Sequence, residues 1–238
     1  MIETLLPSPI LFAERFGNVP GDVLFPSERQ VVAAAGVARR QEFTTVRACA
    51  RAALARLGVP PAPILPDAAG APRWPAGVVG SMTHCAGYRA AAVARAHDVV
   101  TVGIDAEPDA PIPTGGVRAR VTAAEERAHI AELGARRPGV SWDRLVFSAK
   151  ESVYKAWYPL TGRRLDFDQV LVTVSPDDGV FSARLLVPGP KVGARRIRVF
   201  TGEWKQFRGL LLTTVSLTAA SLAATTHSTF SGPDPECT

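Results

Sequence analysis

A helical period dominates the region that precedes the first glycine- and proline-rich segment. Residues 27–57 predict a helical run that is interrupted near Gly36, and Gly58 followed by Pro60 and Pro61 ends it. Its apolar positions recur at helical spacing and form one face: Phe43, Val46, Ala50, Ala53, Leu54 and Leu57. Arg39 projects onto the side of this face, Arg47 onto its edge, and Arg56 points away. We therefore expect Arg39 and Arg47 to need anionic partners, whereas Arg56 needs only water.

A period of two replaces the helical period in the middle of the chain. Residues 59–75 form a loop rich in proline, alanine and glycine, and β-like runs follow at 78–84 and 88–95, joined by residues 85–87. Residues 98–107 (DVVTVGIDAE) form a third, alternating run that Pro108 ends.

After a Pro/Gly linker at 108–116, the same order of helices and strands begins again. We predict helices over 121–133, with Thr122 as a possible N-cap, and from Ser141, a second possible cap, to residue 160. The predicted strands are 169–174, 180–187, 195–200 and 210–217. This order predicts an α+β protein with two similar-sized lobes, 1–107 and 108–218, and a disordered tail at 219–238.

Composition excludes several classes of protein. The 238 residues can bury a core without disulfides, and the three cysteines, Cys49, Cys85 and Cys237, form no CxxC pair. A reducing compartment fits best, and we expect a cytoplasmic protein. The N-terminus lacks a basic region typical of a signal peptide, and the charge-free stretch after Gly209 contains Thr and Ser, which favours a strand over a membrane span.

The charge balance is basic and unusual. The net charge is +5, and of 27 basic residues only four are lysines, at 150, 155, 191 and 205. Two of these lysines therefore lie within six residues of each other.

Two acidic residues end the alternating run at 98–107. Asp105 and Glu107 leave the same face of the predicted strand, with Cα atoms roughly 6.5–7 Å apart, which suits two carboxylates that converge on one cation. A solvated strand end is the alternative, but the apolar residues Val100, Val102 and Ile104 place the acids at the end of a buried strand.

A second polar group lies on the helix that follows Ser141. Glu151 and Lys155 lie opposite its apolar face, and as an i,i+4 pair they could be a simple surface ion pair. Phe147 and Tyr154 flank this side, so the charged strip is expected to line a crevice. There Lys150, Glu151 and Lys155 would form a plausible phosphate and metal site.

A hydroxyl and an imidazole stand side by side at Thr83 and His84 and could hold a phosphate oxygen. The sequence contains no GxGxxG, P-loop, GxSxG or HExxH pattern, which removes the commonest dinucleotide, NTPase, hydrolase and zinc-protease interpretations. An oxygen-only set of candidate ligands favours magnesium over zinc or copper.

Taken together, three segments resemble the signature motifs of the two-lobed, broad-specificity 4′-phosphopantetheinyl transferases. They are GSMTHCAGY (80–88), VGIDAEP (102–108) and LVFSAKESVYKAWYPLT (145–161). RRQEFTTVR (39–47) resembles the subgroup that contains the mycobacterial and enterobactin-pathway enzymes. The resemblance covers roughly residues 39–217.

This resemblance implies an activity and a two-lobed fold with pseudo-twofold symmetry and the active site between the lobes. Members move the phosphopantetheine arm of coenzyme A onto a serine of acyl or peptidyl carrier proteins and release 3′,5′-adenosine bisphosphate. By resemblance, Asp105, Glu107 and Glu151 bind Mg²⁺, and Glu151 is the candidate general base. Lys155 and Lys150 would stabilise the phosphates, and Lys155 would be catalytic together with Glu151. The residues that would contact coenzyme A are Arg39, Arg47, Thr83, His84, Asp105, Lys150, Glu151 and Lys155.

One departure from the family concerns the loop before Gly70. Relatives often carry lysines where this chain has Pro66, Asp67, Ala68 and Ala69, so Arg73 or backbone amides would have to compensate.

The expected partners are coenzyme A and acidic carrier proteins, which an arginine-rich surface would attract. We expect a monomer that binds neither membrane nor nucleic acid. Two alternatives remain: a nucleic-acid binder, which would need a basic stripe, and a non-catalytic coenzyme A binder, which could lose the carboxylates.

Overall fold

The computed structural model describes residues 1–18, 21–113 and 116–222 and contains both helices and sheets. The helices are α1 (Pro26–Val31), α2 (Val37–Arg56), α3 (Gly116–Val121), α4 (Ala124–Arg136) and α5 (Trp142–Thr161), with 3₁₀ turns at Ile2–Leu5 and Phe167–Gln169. The strands are β1 (Leu11–Phe16), β2 (Val78–Cys85), β3 (Tyr88–Arg95), β4 (Val99–Pro108), β5 (Val170–Ser175), β6 (Val180–Leu185), β7 (Lys191–Val192), β8 (Arg195–Arg196), β9 (Val199–Phe207) and β10 (Leu210–Thr218).

The first sheet is antiparallel, has the order β1-β3-β2, and carries α2 on one face. Ala50 and Ala53 of α2 pack in one apolar cluster with Ala91 and Val93 of β3. The other face of β3 packs against the second sheet. The run RAAAVARA has helical propensity, but it forms the middle strand and is buried on both faces, so packing decides its conformation.

The second sheet is also antiparallel and has the order β4-β10-β9-β6-β5. Helix α5 crosses it and buries Val146, Val153 and Trp157 in the largest apolar cluster. Gly103 of β4 lies directly under α5: a Cβ there would stand 2.0 Å from the Ser152 carbonyl oxygen.

Side-chain hydroxyls of β2 join the two sheets. The backbone N–H of Ile104 donates to Ser81 Oγ at 3.0 Å, and that of Ala106 donates to Thr83 Oγ1 at 3.0 Å. Two backbone N–H groups on the edge of β4 that does not pair with β10 are thus bonded by side chains of β2. The two sheets meet along these strands.

The α+β fold class is confirmed, and the strands at 78–84, 88–95 and 98–107 appear close to their predicted bounds. The helical run at 27–57 is broken as expected, but its first part is only one short helix, α1.

Several local predictions were wrong. Strand β1 and helix α3 were not predicted, and the expected strand at 195–200 is divided between β8 and β9. Ala123, not Thr122, is the N-cap of α4, and the Thr122 hydroxyl instead donates to the Arg118 carbonyl oxygen at 2.8 Å. Ser141 is the N-cap residue of α5, but its side chain makes no capping hydrogen bond.

The division into lobes at 107/108 stays a prediction. The boundary falls at the end of β4, which precedes it in the chain but pairs with β10 in the second sheet. Of the expected disordered tail, residues 219–222 are helical, and residues 223–238 lie outside the described residues. Within the three described ranges, no helix is both long and apolar enough to cross a membrane.

Candidate functional site

A cavity of about 500 Å³ opens between the first sheet with α2 on one side and α5 on the other. Five segments supply its walls: α2, the loop at 66–74, β2, the second half of α5, and α1 through Val31 alone. The polar and charged lining residues are Arg39, Arg47, Asp67, Ser81, His84, Glu151, Tyr154, Lys155 and Tyr158.

Helix α2 brings two arginines to the cavity, but their burial is the reverse of our expectation. The Arg39 side chain is half exposed, whereas that of Arg47 is only 6% exposed. Arg47 lies over the Phe43 ring, and its Nε donates to the Ile64 carbonyl oxygen at 3.0 Å. Burial lowers the pKa of Arg47 to about 10 and nearby Glu28 opposes this, so Arg47 stays charged at neutral pH. Arg56 is exposed, as predicted.

His84, at the end of β2, contacts Arg39 through its Nε2 atom. Burial and then the Arg39 charge lower the pKa of His84. Its ring is therefore mostly neutral at pH 7 and can accept or donate one hydrogen bond at each nitrogen.

The 66–72 loop closes the cavity opposite β2 and is organised by Asp67. Its Oδ1 accepts the backbone N–H groups of Ala69 and Ala71 at 2.8 and 2.9 Å, and its Oδ2 accepts the Tyr158 hydroxyl at 3.0 Å. These two amides are therefore already bonded, and Arg73 is exposed and does not line the cavity. Arg73 therefore lies outside the cavity wall, and the amides of Ala69 and Ala71 are not free to hold a phosphate.

The carboxylates of Asp105 and Glu107 both contact α5, so they leave the same face of β4, as predicted. Asp105 is buried and accepts Ser148 Oγ at 2.8 Å, Lys155 Nζ at 2.7 Å and Thr83 Oγ1 at 3.2 Å. Glu107 pairs with Arg144 at 3.1 Å. Burial and the Asp105 charge raise the pKa of Glu107 to about 7, which Arg144 opposes.

Glu151 and Lys155 do not form the surface ion pair that their spacing allows. Lys155 Nζ instead donates to the Ile104 carbonyl oxygen at 3.0 Å and to Asp105. The half-buried Glu151 carboxylate has no hydrogen bond or ion pair with any residue that the structure describes. Burial, together with the Asp105 charge, raises its pKa, and Lys155 opposes the rise. Both side chains line the cavity, which agrees with the expected crevice.

Lys150 lies elsewhere, and the prediction that it stands beside the phosphates was wrong. It is 1% exposed, pairs with Glu126 at 2.7 Å, and donates to the carbonyl oxygens of Val121 and Phe167, both at 2.8 Å. These three bonds use all the hydrogens of the ammonium group. Lys150 therefore ties α5 to α3, α4 and the turn before β5.

Thr83 was expected to contact the ligand through its hydroxyl, but this group is already used inside the protein. It is 2% exposed, accepts the Ala106 N–H, donates to Asp105, and is absent from the cavity wall. Its position aligns β2 with β4 and helps to hold Asp105.

Four functional neighbours were not identified from the sequence: Arg144, Ser148, Asp67 and Tyr158. Arg144 and Ser148 precede Glu151 by seven and three residues, so helical periodicity from Glu151 could have found them. The Asp67–Tyr158 contact spans 91 positions and has no local signal.

The expected metal ligands are all oxygen donors. In the described part of the chain, no three His, Cys, Asp or Glu side chains are grouped closely enough to form a metal centre. Asp105, Glu107 and Glu151 nevertheless belong to adjacent elements, and the Asp105 charge acts on both of the others.

As a whole, the cavity has two ends with different chemistry. Arg39, Arg47 and His84 supply donors at the α2 end, whereas Glu151 and Lys155 stand at the α5 end. This arrangement suits an elongated anionic ligand whose reactive group lies near Glu151.

Comparison with known proteins identifies the ligand class. Residues 27–94 match the model of the 4′-phosphopantetheinyl transferase N-terminal domain, and residues 101–208 match that of the 4′-phosphopantetheinyl transferase superfamily. The chain is 55% identical to the 4′-phosphopantetheinyl transferase Svp of Streptomyces mobaraensis, over 100% of this chain and 97% of the relative.

Two further relatives match over most of both chains. The 4′-phosphopantetheinyl transferases PptT of Mycobacterium tuberculosis and Npt of Nocardia iowensis are each 42% identical over 91% of this chain, and over 98% and 99% of their own lengths. These likenesses favour the transferase over the coenzyme A-binding and nucleic-acid-binding alternatives. The chain therefore belongs to the 4′-phosphopantetheinyl transferases, in the group with broad specificity.

Proposed function

We propose that this protein transfers the 4′-phosphopantetheine arm of coenzyme A to a serine of apo acyl or peptidyl carrier proteins. The observation that carries this proposal is one cavity that joins the donors of Arg39, Arg47 and His84 to the Glu151–Lys155 side of α5. The phosphates of coenzyme A lie at its nucleotide end and in its pyrophosphate. Their separation matches the cationic groups on α2 and on α5 that line this cavity.

The nucleotide end of coenzyme A binds at the α2 end of the cavity. Arg39 is half exposed, and its guanidinium can bind a phosphate with two parallel hydrogen bonds. Arg47 contributes a buried positive charge, and the neutral His84 ring contributes a hydrogen-bond donor. The pyrophosphate then lies towards Lys155, whose side chain is one-quarter exposed.

Asp105, Glu107 and Glu151 are the residues that would hold Mg²⁺. The donor set fits this ion, because magnesium prefers oxygen ligands and is commonly held by carboxylates together with substrate phosphate oxygens. Glu151 lacks a protein partner among the described residues, and Asp105 and Glu107 share its side of β4. When bound, the ion neutralises charge on the pyrophosphate.

The transfer itself is a phosphoryl substitution. The serine Oγ forms a bond to the phosphorus attached to pantetheine, the pyrophosphate P–O bond breaks, and 3′,5′-adenosine bisphosphate leaves. Glu151 accepts the serine proton, since it is the one cavity-lining carboxylate without a hydrogen bond or ion pair in the part of the chain that the structure describes. Lys155 stabilises negative charge that develops on the leaving phosphate.

The carrier protein completes the site. An acidic carrier surface would be steered by the excess of positive charge on this chain, whose net charge is +5. We further propose that the protein acts as a monomer and has no nucleic-acid partner, because coenzyme A and one carrier suffice for the reaction.

Intact-mass spectrometry tests the proposal. The protein is incubated with coenzyme A, Mg²⁺ and a panel of apo acyl and peptidyl carriers, and each carrier is weighed before and after. A mass increase equal to one phosphopantetheine group on the carrier serine is expected. No increase on any carrier, with folded enzyme and intact coenzyme A, would contradict the proposed function.

A further inference from the structure

One carboxylate, Glu42, stands among the cationic groups at the α2 end of the cavity. Its oxygens lie 3.8 Å from Arg39, 3.6 Å from His84 and 3.5 Å from Arg89. These four residues form the Glu42 cluster. Glu42 does not itself line the cavity, but two of its three neighbours do.

Within the Glu42 cluster, Arg89 is buried and is held by the backbone. The Arg89 side chain is only 5% exposed, and it donates from one terminal nitrogen to the Cys85 carbonyl oxygen at 2.8 Å. Its Nε has no hydrogen-bond partner among the described residues. Arg89 is therefore a buried charge that the protein satisfies incompletely, and it holds a positive potential at this end of the cavity.

The Glu42 carboxylate is held only by long contacts. All three contacts of Glu42 are at least 3.5 Å long, so they are mainly Coulombic and are poorer than short, charge-assisted hydrogen bonds. The Glu42 side chain is 27% exposed. It can therefore move or be screened when another anion reaches Arg39 and His84.

We propose that Glu42 is an internal counter-anion that competes with the nucleotide phosphates of coenzyme A for Arg39 and His84 and thereby sets the affinity of this end of the cavity. The inference rests on the proposed function, because it assigns the nucleotide end of the ligand to these residues. It makes Glu42 a positioning residue whose charge weakens binding and so favours release of the bisphosphate product.

Removing this charge should tighten nucleotide binding. One like charge fewer at about 6 Å, partly screened by solvent, corresponds to a gain of about 3- to 10-fold in affinity at low salt. We expect Glu42→Gln to show this gain for coenzyme A and for 3′,5′-adenosine bisphosphate. Phosphopantetheine, which lacks the nucleotide, should show no gain. The difference should shrink as the salt concentration rises, because screening weakens the repulsion.

The experiment is isothermal calorimetry with these three ligands on the full chain. Glu42→Asp keeps the charge and should bind close to wild type, and Glu42→Ala removes it and should agree in sign with Glu42→Gln. Glu132→Gln is the matched control, because it also removes one negative charge, but from a side chain that is 76% exposed and outside the cavity. Thermal unfolding verifies that each variant is folded.

The outcomes separate the two proposals. Tighter nucleotide binding in Glu42→Gln and Glu42→Ala, with wild-type binding in the two charge controls, supports the counter-anion. Equal or weaker binding in the neutral variants overturns it, while wild-type binding and transfer would leave the proposed function intact. A wild-type protein that neither binds coenzyme A nor modifies a carrier would instead contradict the proposed function itself.

Discussion

Two lysines on α5 differ completely in their surroundings although they lie five positions apart. Lys155 reaches the cavity and contacts Asp105, whereas Lys150 is enclosed with Glu126 on the other side of the helix. Since five residues correspond to 500° of helical rotation, the two side chains leave α5 about 140° apart. Lys150 therefore stabilises the position of the helix, and Lys155 belongs to the site.

Lys150→Met tests this structural assignment. Breaking the buried ion pair leaves Glu126 charged and uncompensated, so we expect the free energy of unfolding to fall by about 3–5 kcal/mol. Denaturant unfolding measures this loss, and Lys191→Met on an exposed strand should change stability by less than about 0.5 kcal/mol.

A different result would show that Lys150 contacts the ligand. If Lys150→Met keeps wild-type stability but strongly raises the KM for coenzyme A, then its ammonium group contacts the phosphates during the reaction. We expect the KM of the folded variant to stay near that of wild type.

At this scale, the sequence identified side chains better than it identified their partners. The two-residue period correctly placed Asp105 and Glu107 on one face, and helical periodicity placed Glu151 and Lys155 opposite the apolar face. Lys155 could have paired with Glu151 four positions earlier. Its actual partner, Asp105, lies 50 positions away, so only the packing of α5 on β4 decides the choice.

At the scale of elements, the contact between α5 and β4 determines where the carboxylates stand relative to one another. The helix can approach the strand closely because Gly103 has no side chain, and a Cβ would also lie 2.8 Å from the Ala156 nitrogen. The backbone of α5, and with it Glu151, therefore lies directly over the strand that carries Asp105.

Gly103→Ala should separate these elements. We expect a loss of about 2–3 kcal/mol in the free energy of unfolding from overpacking, together with slower transfer in the folded fraction. Gly134→Ala in α4 is the matched control, since a Cβ there meets nothing within 4 Å. This control should stabilise the protein by up to about 1 kcal/mol. Equal stabilities of the two variants would show that α5 does not depend on Gly103.

The 66–72 loop is a second element that packing positions. Tyr158→Phe removes its hydrogen bond to Asp67, so the amides of Ala69 and Ala71 should exchange a few-fold faster. Hydrogen exchange measured by NMR provides the test. Tyr154→Phe is the control, because the hydroxyl of Tyr154 makes no hydrogen bond with the described residues although its ring contacts that of Tyr158. Identical exchange in both variants would contradict this role.

Elements with a regular pattern were predictable, and those set by their neighbours were not. Strands β2 and β4 carry β-branched residues and turn signals at their ends, so their bounds follow from the sequence. Strand β1 is only partly buried along its length and lacks a clean alternation. It becomes a strand because it pairs with β3, which is a long-range contact that a local pattern does not contain.

At the scale of the whole molecule, several arginines form ion pairs inside the protein. Arg47 and Arg51 pair with the buried Glu28, and Arg89 lies beneath Glu42. Each of these ion pairs cancels charge inside the protein, so the net charge of +5 alone does not tell which arginines a carrier protein would meet. The sequence predicts an anionic partner, but only the fold shows which arginines pair inside the protein and which line the cavity.

The two sheets also explain why neither half of the chain carries the site alone. The donors at the α2 end come from residues before β3, whereas Glu151 and Lys155 come from α5. The hydroxyls of Ser81 and Thr83 join the sheets between these groups. The central claim is therefore that Glu151 performs the chemistry in a cavity whose other end binds the nucleotide.

The most direct test is single-turnover transfer to an apo carrier by Glu151→Gln, measured by mass spectrometry beside calorimetric coenzyme A binding. We predict a transfer rate at least about 100-fold below wild type, with a coenzyme A dissociation constant within about threefold. The exposed-charge control Glu132→Gln should match wild type in both measurements. Transfer by Glu151→Gln at a rate close to that of wild type would contradict the account, because the reaction would not depend on this carboxylate.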